Sequence, residues 1–119
     1  MEIRRAFVTI AASNLEQSVR FYEQLLSQSP TAHIPTVYAE FQIRGIQIGI
    51  YQPRDAELSS THPAVSLCLE VENLTAAIAH LISLDCPPPG EILHSSHGEE
   101  IYAYDPDGNR IILYQPKTQ

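Results

Sequence analysis

Imidazole and carboxylate groups, which suit metal binding and proton transfer, are concentrated in one short stretch of the chain. That stretch, His94-Ser-Ser-His97-Gly-Glu99-Glu100, contains two histidines and two glutamates. Such groups bind divalent cations when a fold brings them together. The segment is predicted to be a loop before a strand, and its residue spacing does not indicate that these side chains could bind one ion together. We therefore interpret it as a solvated loop.

Three reactive side chains on predicted strands are further candidates. Glu70 could bind a cationic ligand or act as a general base, or it could only reach solvent at the end of its strand. Arg110 could anchor an anionic ligand, although an ion pair with Glu70 is the simpler interpretation. Cys68 has the chemistry of a nucleophile, but no histidine is placed beside it by the sequence, and buried cysteines usually only pack.

The overall charge limits the classes of partner. The 119 residues include 7 basic and 14 acidic side chains, which gives a formal net charge of −7. An acidic surface argues against nucleic acids and anionic membranes as partners, and it either suits a cationic ligand or only maintains solubility. No apolar run approaches the ~18 residues of a membrane span, and the N-terminus lacks a signal-peptide core. We expect a cytoplasmic protein whose two cysteines are reduced.

The periodicity of apolar residues predicts an α+β protein built from two βαβββ modules. The predicted elements of the first are a strand over 6–12, a helix over about 15–27 capped by Asn14, a loop over 30–36, and strands over 37–43 and 46–51. Those of the second are a strand over 64–71, a helix from 74 to about 84 capped by Asn73, a short strand over 91–94, a loop over 95–98 and a hairpin over 102–114. In the hairpin turn, Pro106 fixes φ, Asp107 can bond its own backbone and Gly108 can take a positive φ.

A repeated Tyr-Gln-Pro supports this duplication, because it follows the last strand of each half at Tyr51 and at Tyr114. The predicted boundaries place module 1 at about 1–53, a linker at about 54–63 and module 2 at about 64–119. Each module alone makes a marginal core, so we expect one domain of two modules.

Alternation along the strands separates an apolar face from a mixed face. The apolar face, which the helices should cover, contains Val8, Ile10, Ile46, Ile48, Ile50, Val65, Leu67, Leu69, Val71, Ile111 and Leu113. The predicted ligand-binding residues are Phe7, Thr9, Gln47, Tyr51, Ser66, Cys68, Glu70, Tyr102, Tyr104, Arg110, Ile112 and Tyr114. Aromatic and polar side chains together are typical of a pocket for an organic molecule. A solvated sheet face and a protein–protein interface are the alternatives, and the pattern leaves open which of Tyr102 and Tyr104 or their neighbours face the site.

Three motifs carry a resemblance to a known family. They are Asn14-Leu-Glu-Gln-Ser-Val-Arg-Phe-Tyr-Glu-Gln-Leu-Leu26, Glu72-Asn73-Leu74 and Asp105-Pro-Asp-Gly-Asn109. With them the chain resembles the vicinal oxygen chelate superfamily, which contains glyoxalase I, bleomycin resistance proteins, extradiol dioxygenases and fosfomycin resistance enzymes. The resemblance covers nearly the whole chain. It implies paired βαβββ modules whose curved mixed sheets enclose a cavity.

The resemblance also implies where a metal would be bound. Metal enzymes of this superfamily carry histidine or glutamate on the first strand of each module and glutamate near the middle of the last. The matching positions here are Phe7, Gly49, Ser66 and Ile112. Three of these residues have no ligand atom and serine is a poor ligand, so we expect no metal and no other cofactor.

Without those ligands, the resemblance favours a binding protein of the bleomycin resistance type, with a small organic molecule as its partner. One alternative is an atypical or metal-free lyase, isomerase or dioxygenase-like enzyme, with Glu70 as base and Arg110 as electrostatic stabiliser. A second alternative is a protein-interaction module. The segment 94–100 would border the pocket and could gate it. Relatives usually pair modules, and open sheet edges need cover, so a homodimer is expected.

Overall fold

The computed structural model describes residues 2–3, 7–52, 66–96 and 98–117. The chain forms two compact units, Met1–Thr61 and His62–Gln119, which we call module 1 and module 2. The predicted linker, residues 54–63, lies outside the described residues. Among the described residues, no helix is long and apolar enough to cross a membrane.

Both modules have the order strand, helix, strand, strand, strand. The elements of module 1 are β1 (Val8–Ala11), α1 (Leu15–Leu26), β2 (Ala32–Ile34), β3 (Tyr38–Ile43) and β4 (Ile46–Tyr51). Those of module 2 are β5 (Leu67–Glu70), α2 (Leu74–Ser83), β6 (Leu93–His94), β7 (Gly98–Tyr104) and β8 (Arg110–Pro116). The predicted pair of βαβββ modules is therefore confirmed.

The two sheets share one topology. Their strand orders are β1-β4-β3-β2 and β5-β8-β7-β6, with four strands in each sheet. The first strand of each module pairs in parallel with the last, and the other pairs are antiparallel. Each sheet is thus mixed, as expected from the α+β prediction, because the helix provides the crossover that a parallel pair requires.

Each helix covers one face of its own sheet. In α1 the buried side chains include Leu15, Val19, Tyr22 and Leu26, which recur at helical spacing. The Tyr22 ring lies 6.5 Å from the ring of Phe41 on β3. Helix α2 contacts β8 in the same way. Buried residues of the predicted apolar face are Ile10, Ile48, Ile50, Leu67, Ile111 and Leu113.

The helix N-termini explain the repeated Tyr-Gln-Pro. Asn14 caps α1, as predicted, by accepting a hydrogen bond from the Gln17 amide at 3.2 Å. The Gln52 side chain accepts from the Leu15 amide at 3.0 Å. Two of the amides that lack a partner at a helix start are thereby satisfied.

Module 2 repeats this arrangement. Asn73 accepts from the Ala76 amide at 2.9 Å, and the Gln115 side chain accepts from the Leu74 amide at 2.6 Å. In both modules the glutamine of the repeated Tyr-Gln-Pro, at the end of the last strand, therefore ties that strand to the start of the helix.

Two predicted loops are wrong in part. Residues 30–36 contain β2, whose three residues are all exposed and pair with β3. The flanking prolines hid it, because a three-residue edge strand shows no alternation. Strand β7 begins at Gly98, so Glu99 and Glu100 lie in a strand and not before one.

The tight turn before β8 forms as predicted, and Asp105 also bonds within it. Asp105 accepts from the amides of Asp107 and Asn109 at 2.9 and 2.8 Å, and from the Asn109 side chain at 2.8 Å. Gly108 has a φ of +85°. The buried Asp105 carboxylate therefore holds the turn that aligns β7 with β8.

Candidate functional site

Each sheet has a second face, opposite its helix, which we call the open face of that module. Cross-strand partners share a face, so the strand register assigns its members. The module 1 open face contains Thr9, Ala11, Tyr38, Glu40, Gln42, Gln47, Gly49 and Tyr51. The module 2 open face contains Ser66, Cys68, Glu70, Glu100, Tyr102, Tyr104, Arg110, Ile112 and Tyr114.

The predicted site residues are thereby divided between two surfaces. Phe7, Thr9, Gln47 and Tyr51 belong to module 1, where Phe7 is 46% exposed and Tyr51 is 37% exposed. The other predicted residues belong to module 2. Tyr102 and Tyr104 are two residues apart on β7 and share the open face, since they pair with Ile112 and Arg110 of β8.

On module 1, Tyr38 lies over Gly49. A Cβ atom added at Gly49 would lie 2.7 Å from the Tyr38 hydroxyl oxygen and 2.9 Å from its Cε1. The Tyr38 hydroxyl donates to a carboxylate oxygen of Glu40 at 2.9 Å, and Glu40 is the cross-strand partner of Gly49. The absence of a side chain at Gly49 is what gives the tyrosine ring its place.

Two glutamines form the neighbouring row of this open face. The Gln42 amide nitrogen donates to the Gln47 side-chain oxygen at 3.1 Å. The Gln47 amide nitrogen is buried and has no hydrogen-bond partner within the described part of the chain. This open face therefore combines two tyrosines, one carboxylate and a side-chain amide with a donor left over.

On module 2, Arg110 is held at two points. Its Nε donates to the Ser66 hydroxyl at 2.6 Å, and its guanidinium carbon lies 5.2 Å from the centre of the Tyr102 ring. The expected ion pair between Arg110 and Glu70 is wrong: these two residues form no ion pair in the structure. The reason is register, because Glu70 pairs with Tyr114, four residues further along β8.

The far end of the module 2 open face is acidic. Tyr114 pairs with Glu70 on one side and with Glu100 on the other. Partial desolvation raises the pKa of the nearby Cys68 thiol, and the negative charges of Glu100 and Glu70 raise that pKa further. A thiol in this setting is protonated at neutral pH, which opposes a nucleophilic role for Cys68.

The histidine- and glutamate-rich segment does not form a ligand cluster. His94 pairs with Glu99 through Nδ1 and a carboxylate oxygen 3.1 Å apart. Glu99 alternates with the open-face residue Glu100, so this pair lies on the helix side of the sheet. It borders a surface depression of about 600 Å³ that also contains Gln115 and Lys117. Among the described residues, no three histidine, cysteine, aspartate or glutamate side chains are grouped to hold a metal ion.

A sequence model of the Glyoxalase/Bleomycin resistance protein/Dioxygenase superfamily matches residues 4–113. The chain belongs to this superfamily. The match spans both modules and ends within β8, so the resemblance first seen in three motifs holds for almost the whole chain. No curated protein matches the chain.

Solved structures of the superfamily fold are similar to this one. A protein from Agrobacterium tumefaciens, solved by NMR, is 22% identical with a TM-score of 0.78, and the match covers 94% of this chain and 96% of that one. A glyoxalase/bleomycin resistance protein from Catenulispora acidiphila is 19% identical with a TM-score of 0.71, covering 94% and 97%. A mutant of the fosfomycin resistance protein FosX from Listeria monocytogenes, complexed with Mn(II) and 1S,2S-dihydroxypropylphosphonic acid, is 16% identical with a TM-score of 0.74, covering 96% and 90%.

The positions that carry metal ligands in enzymes of the superfamily do not suit a metal in this chain. Gly49 has no side chain, and the Tyr38 ring occupies the adjoining space. Ser66 accepts a hydrogen bond from a guanidinium group, whose positive charge opposes a cation beside it. Ile112 is apolar, and Phe7 offers no donor atom. These four residues therefore provide no ligand set for a divalent metal.

The polar open-face residues that the sequence did not assign to the site are Tyr38, Glu40, Gln42 and Glu100. The signal for the first two was present, because Ala39 and Phe41 alternate with them in β3 and are buried. Glu100 was hidden by its polar neighbours, which made the start of β7 read as a loop. Glu40 lies on the open face of module 1 and Glu100 on the open face of module 2.

Proposed function

We propose that this protein binds a small organic molecule on an open face, without the metal ligands that enzymes of the superfamily use. The observation that carries the proposal is the packing of Tyr38 over Gly49, where a Cβ would come within 2.7 Å of the tyrosine hydroxyl. At this position, where the resemblance implies a metal ligand, the space is occupied by an aromatic ring whose hydroxyl is bonded to Glu40. This supports a surface for an organic ligand in place of a metal donor.

The composition of both open faces supports the same conclusion. Small-molecule sites combine aromatic and apolar area with a few placed polar groups. Tyr51 and Tyr102, each 37% exposed, provide aromatic area, and Glu40, Arg110 and Glu100 provide the polar groups. The surface depression beside His94 has fewer such features, because among its lining residues only Pro116 has a fully apolar side chain.

The arrangement gives less support to an enzyme in which Glu70 is the base and Arg110 the stabiliser. A base and an electrostatic stabiliser must reach neighbouring atoms of one substrate. Glu70 lies opposite Tyr114, whereas Arg110 is four residues earlier on β8 and leans on Tyr102. The two side chains are better placed to hold different ends of a ligand.

A thermal-shift screen of the whole chain tests this proposal. Metabolites and aromatic compounds would be tested on protein treated with a chelator, since a ligand at a hundredfold excess over its dissociation constant stabilises by about 2.7 kcal/mol. Tyr51→Ala and Tyr102→Ala assign the response to module 1 or module 2. Ile82→Ala is the matched control, because Ile82 is 55% exposed on α2.

The proposal is supported if an organic compound stabilises the protein, one tyrosine variant loses this stabilisation and Ile82→Ala retains it. If no compound raises the midpoint and only a protein partner does so, the open faces serve as an interaction surface and the proposal fails.

A further inference from the structure

The guanidinium group of Arg110 is fixed in place, but most of its N–H donors are not used in hydrogen bonds within the described residues. An arginine has five N–H donors, and only the Nε donor has a hydrogen-bond partner among the residues that the structure describes, namely Ser66 at 2.6 Å. The Tyr102 ring, 5.2 Å from the guanidinium carbon, supports the group from the side. The remaining donors form the fork that binds a carboxylate or phosphate through two parallel hydrogen bonds.

The opposite end of the module 2 open face has the opposite charge. Glu70 and Glu100 lie on either side of Tyr114, in the same row of the sheet. Within the described residues, neither carboxylate makes a hydrogen bond or an ion pair. Two carboxylates beside one aromatic ring form a receptor for an ammonium group, because the ring adds a cation–π attraction to the charge.

A less polar row separates the two ends. Cys68, Ile112 and Tyr102 are cross-strand partners between the Arg110 row and the Tyr114 row. Three residues of β8 lie between Arg110 and Tyr114, so the Cα atoms of these two residues are about 13 Å apart in an extended strand. The Arg110 side chain leans toward Tyr102, so the charged groups themselves are closer, on the order of 10 Å apart.

We propose that the module 2 open face binds an elongated zwitterion, with its carboxylate-like group on Arg110, its ammonium group between Glu70 and Glu100, and its apolar middle across Ile112. This inference rests on the proposed function and specifies the chemical class of the ligand. Each end of such a molecule finds a side chain of opposite charge, and the reversed orientation would place like charges together. The two ends therefore fix the direction in which the ligand lies.

Probes of matched chain length distinguish the contributions that the two ends of the open face make to binding. The zwitterion ω-aminooctanoate carries both charges, octanoate lacks the ammonium group and octylamine lacks the carboxylate. Binding of each to the whole protein would be measured by calorimetry at low salt, where screening is least. We expect ω-aminooctanoate to bind at least about tenfold more tightly than either compound with one charge, and ω-aminobutyrate, which cannot span the two ends, to lose that advantage.

Substitutions assign each end. Arg110→Gln should reduce ω-aminooctanoate to the affinity of octylamine, and the double variant Glu70→Gln/Glu100→Gln should reduce it to that of octanoate. Arg20→Gln, on the exposed surface of α1, changes the net charge as Arg110→Gln does, and Glu91→Gln, in an exposed loop, removes one negative charge where the double variant removes two. Both controls should leave all affinities unchanged. Circular dichroism of each variant verifies that the fold is intact.

Equal binding of all three long probes, or an unchanged zwitterion affinity in Arg110→Gln, would overturn the inference. The proposed function has its own outcome: if uncharged aromatic compounds bind and Tyr102→Ala abolishes that binding, it holds while the zwitterion assignment fails. If no organic probe of any class binds, both fail together.

Discussion

Gly49 shows how one small residue changes what a surface can bind. Its neighbour Tyr38 approaches so closely that a methyl group at position 49 would meet the ring at 2.7–2.9 Å. The tyrosine hydroxyl is in turn held by Glu40. The glycine is therefore required by packing and not by backbone freedom, since its φ lies outside the left-handed region.

The first prediction is that Gly49→Ala has opposite effects on stability in the presence and in the absence of the Tyr38 side chain. Gly49→Ala should destabilise the native chain by about 0.5–1.5 kcal/mol, because Tyr38 must move and lose its hydrogen bond to Glu40. In a Tyr38→Ala background the same substitution should stabilise by about 0.4–1 kcal/mol, because only the restriction of the unfolded chain remains. Urea unfolding of the four proteins measures both values, and equal effects in the two backgrounds would contradict the packing explanation.

The second prediction concerns the Cys68 thiol, whose pKa is raised from its ordinary value of 9.0 by desolvation and by the charges of Glu100 and Glu70. In a Cys86→Ser background, iodoacetamide should alkylate Cys68 more slowly at pH 8–9 than it does a cysteine in an unstructured peptide, because a smaller fraction of Cys68 is thiolate. Glu100→Gln should speed the reaction by lowering that pKa, whereas Glu91→Gln should not.

The same shift has a consequence for stability. Because the folded pKa of Cys68 lies above the unfolded value, the native state holds the thiol proton more tightly. The resulting contribution to the free energy of unfolding is complete at pH values below the pKa of the unfolded chain, and it is lost as the pH rises through the folded pKa. A Cys68→Ser variant should therefore lose less stability than the native chain when the pH is raised above 9.0. An equal loss in both proteins would show that the thiol does not titrate as described.

At the scale of elements, the repeated capping of α1 and α2 links helix to sheet. The asparagine caps were predictable, because Asn14 and Asn73 directly precede the apolar periodicity of each helix. The glutamine caps were not predictable, since Gln52 and Gln115 are distant in sequence from the helix amides whose hydrogen bonds they accept. Only the repeated Tyr-Gln-Pro signalled that the two residues share a role.

The third prediction tests these caps. Gln52→Ala and Gln115→Ala should each lower the free energy of unfolding by about 1 kcal/mol, the typical loss when an N-terminal cap is removed. Gln28→Ala is the control, because Gln28 is exposed beyond the end of α1. Denaturant midpoints give the comparison, and a loss in the control as large as in the cap variants would contradict the role of the glutamines.

The limits of sequence reasoning have the same physical origin at several sites. Apolar periodicity predicted β4 and both helices, because the pattern is strong in each of these elements. It missed β2, whose three residues are all exposed. It also paired Arg110 with Glu70, since a pattern of faces does not fix the register between β5 and β8. The faces of the strands were therefore predictable, whereas the contacts made on them were not.

At the scale of the whole molecule, sheet edges are the feature that an assembly would cover. Strand β2 forms one edge of its sheet, and its residue Ile34 is 55% exposed, as is the neighbouring Val37 at 53%. Exposed edges with apolar side chains favour association with another copy of the chain. We propose a homodimer on this basis.

The fourth prediction follows from that proposal. Sedimentation velocity of the purified chain should show a dimer at micromolar concentration. Ile34→Lys, which places a charge on the β2 edge, should shift the equilibrium toward monomer if that edge takes part. A single monomeric species at high micromolar concentration would contradict the homodimer.

The central claim, that ligand binding needs no metal, is tested most directly by one calorimetric comparison. The organic compound that gives the largest thermal shift would be titrated into chelator-treated protein, and then into the same protein with excess Mn²⁺, Zn²⁺ or Ni²⁺. The dissociation constant should be the same in every titration, because Phe7, Gly49, Ser66 and Ile112 provide no ligand set. Binding that appears only when one equivalent of metal is bound would contradict the account.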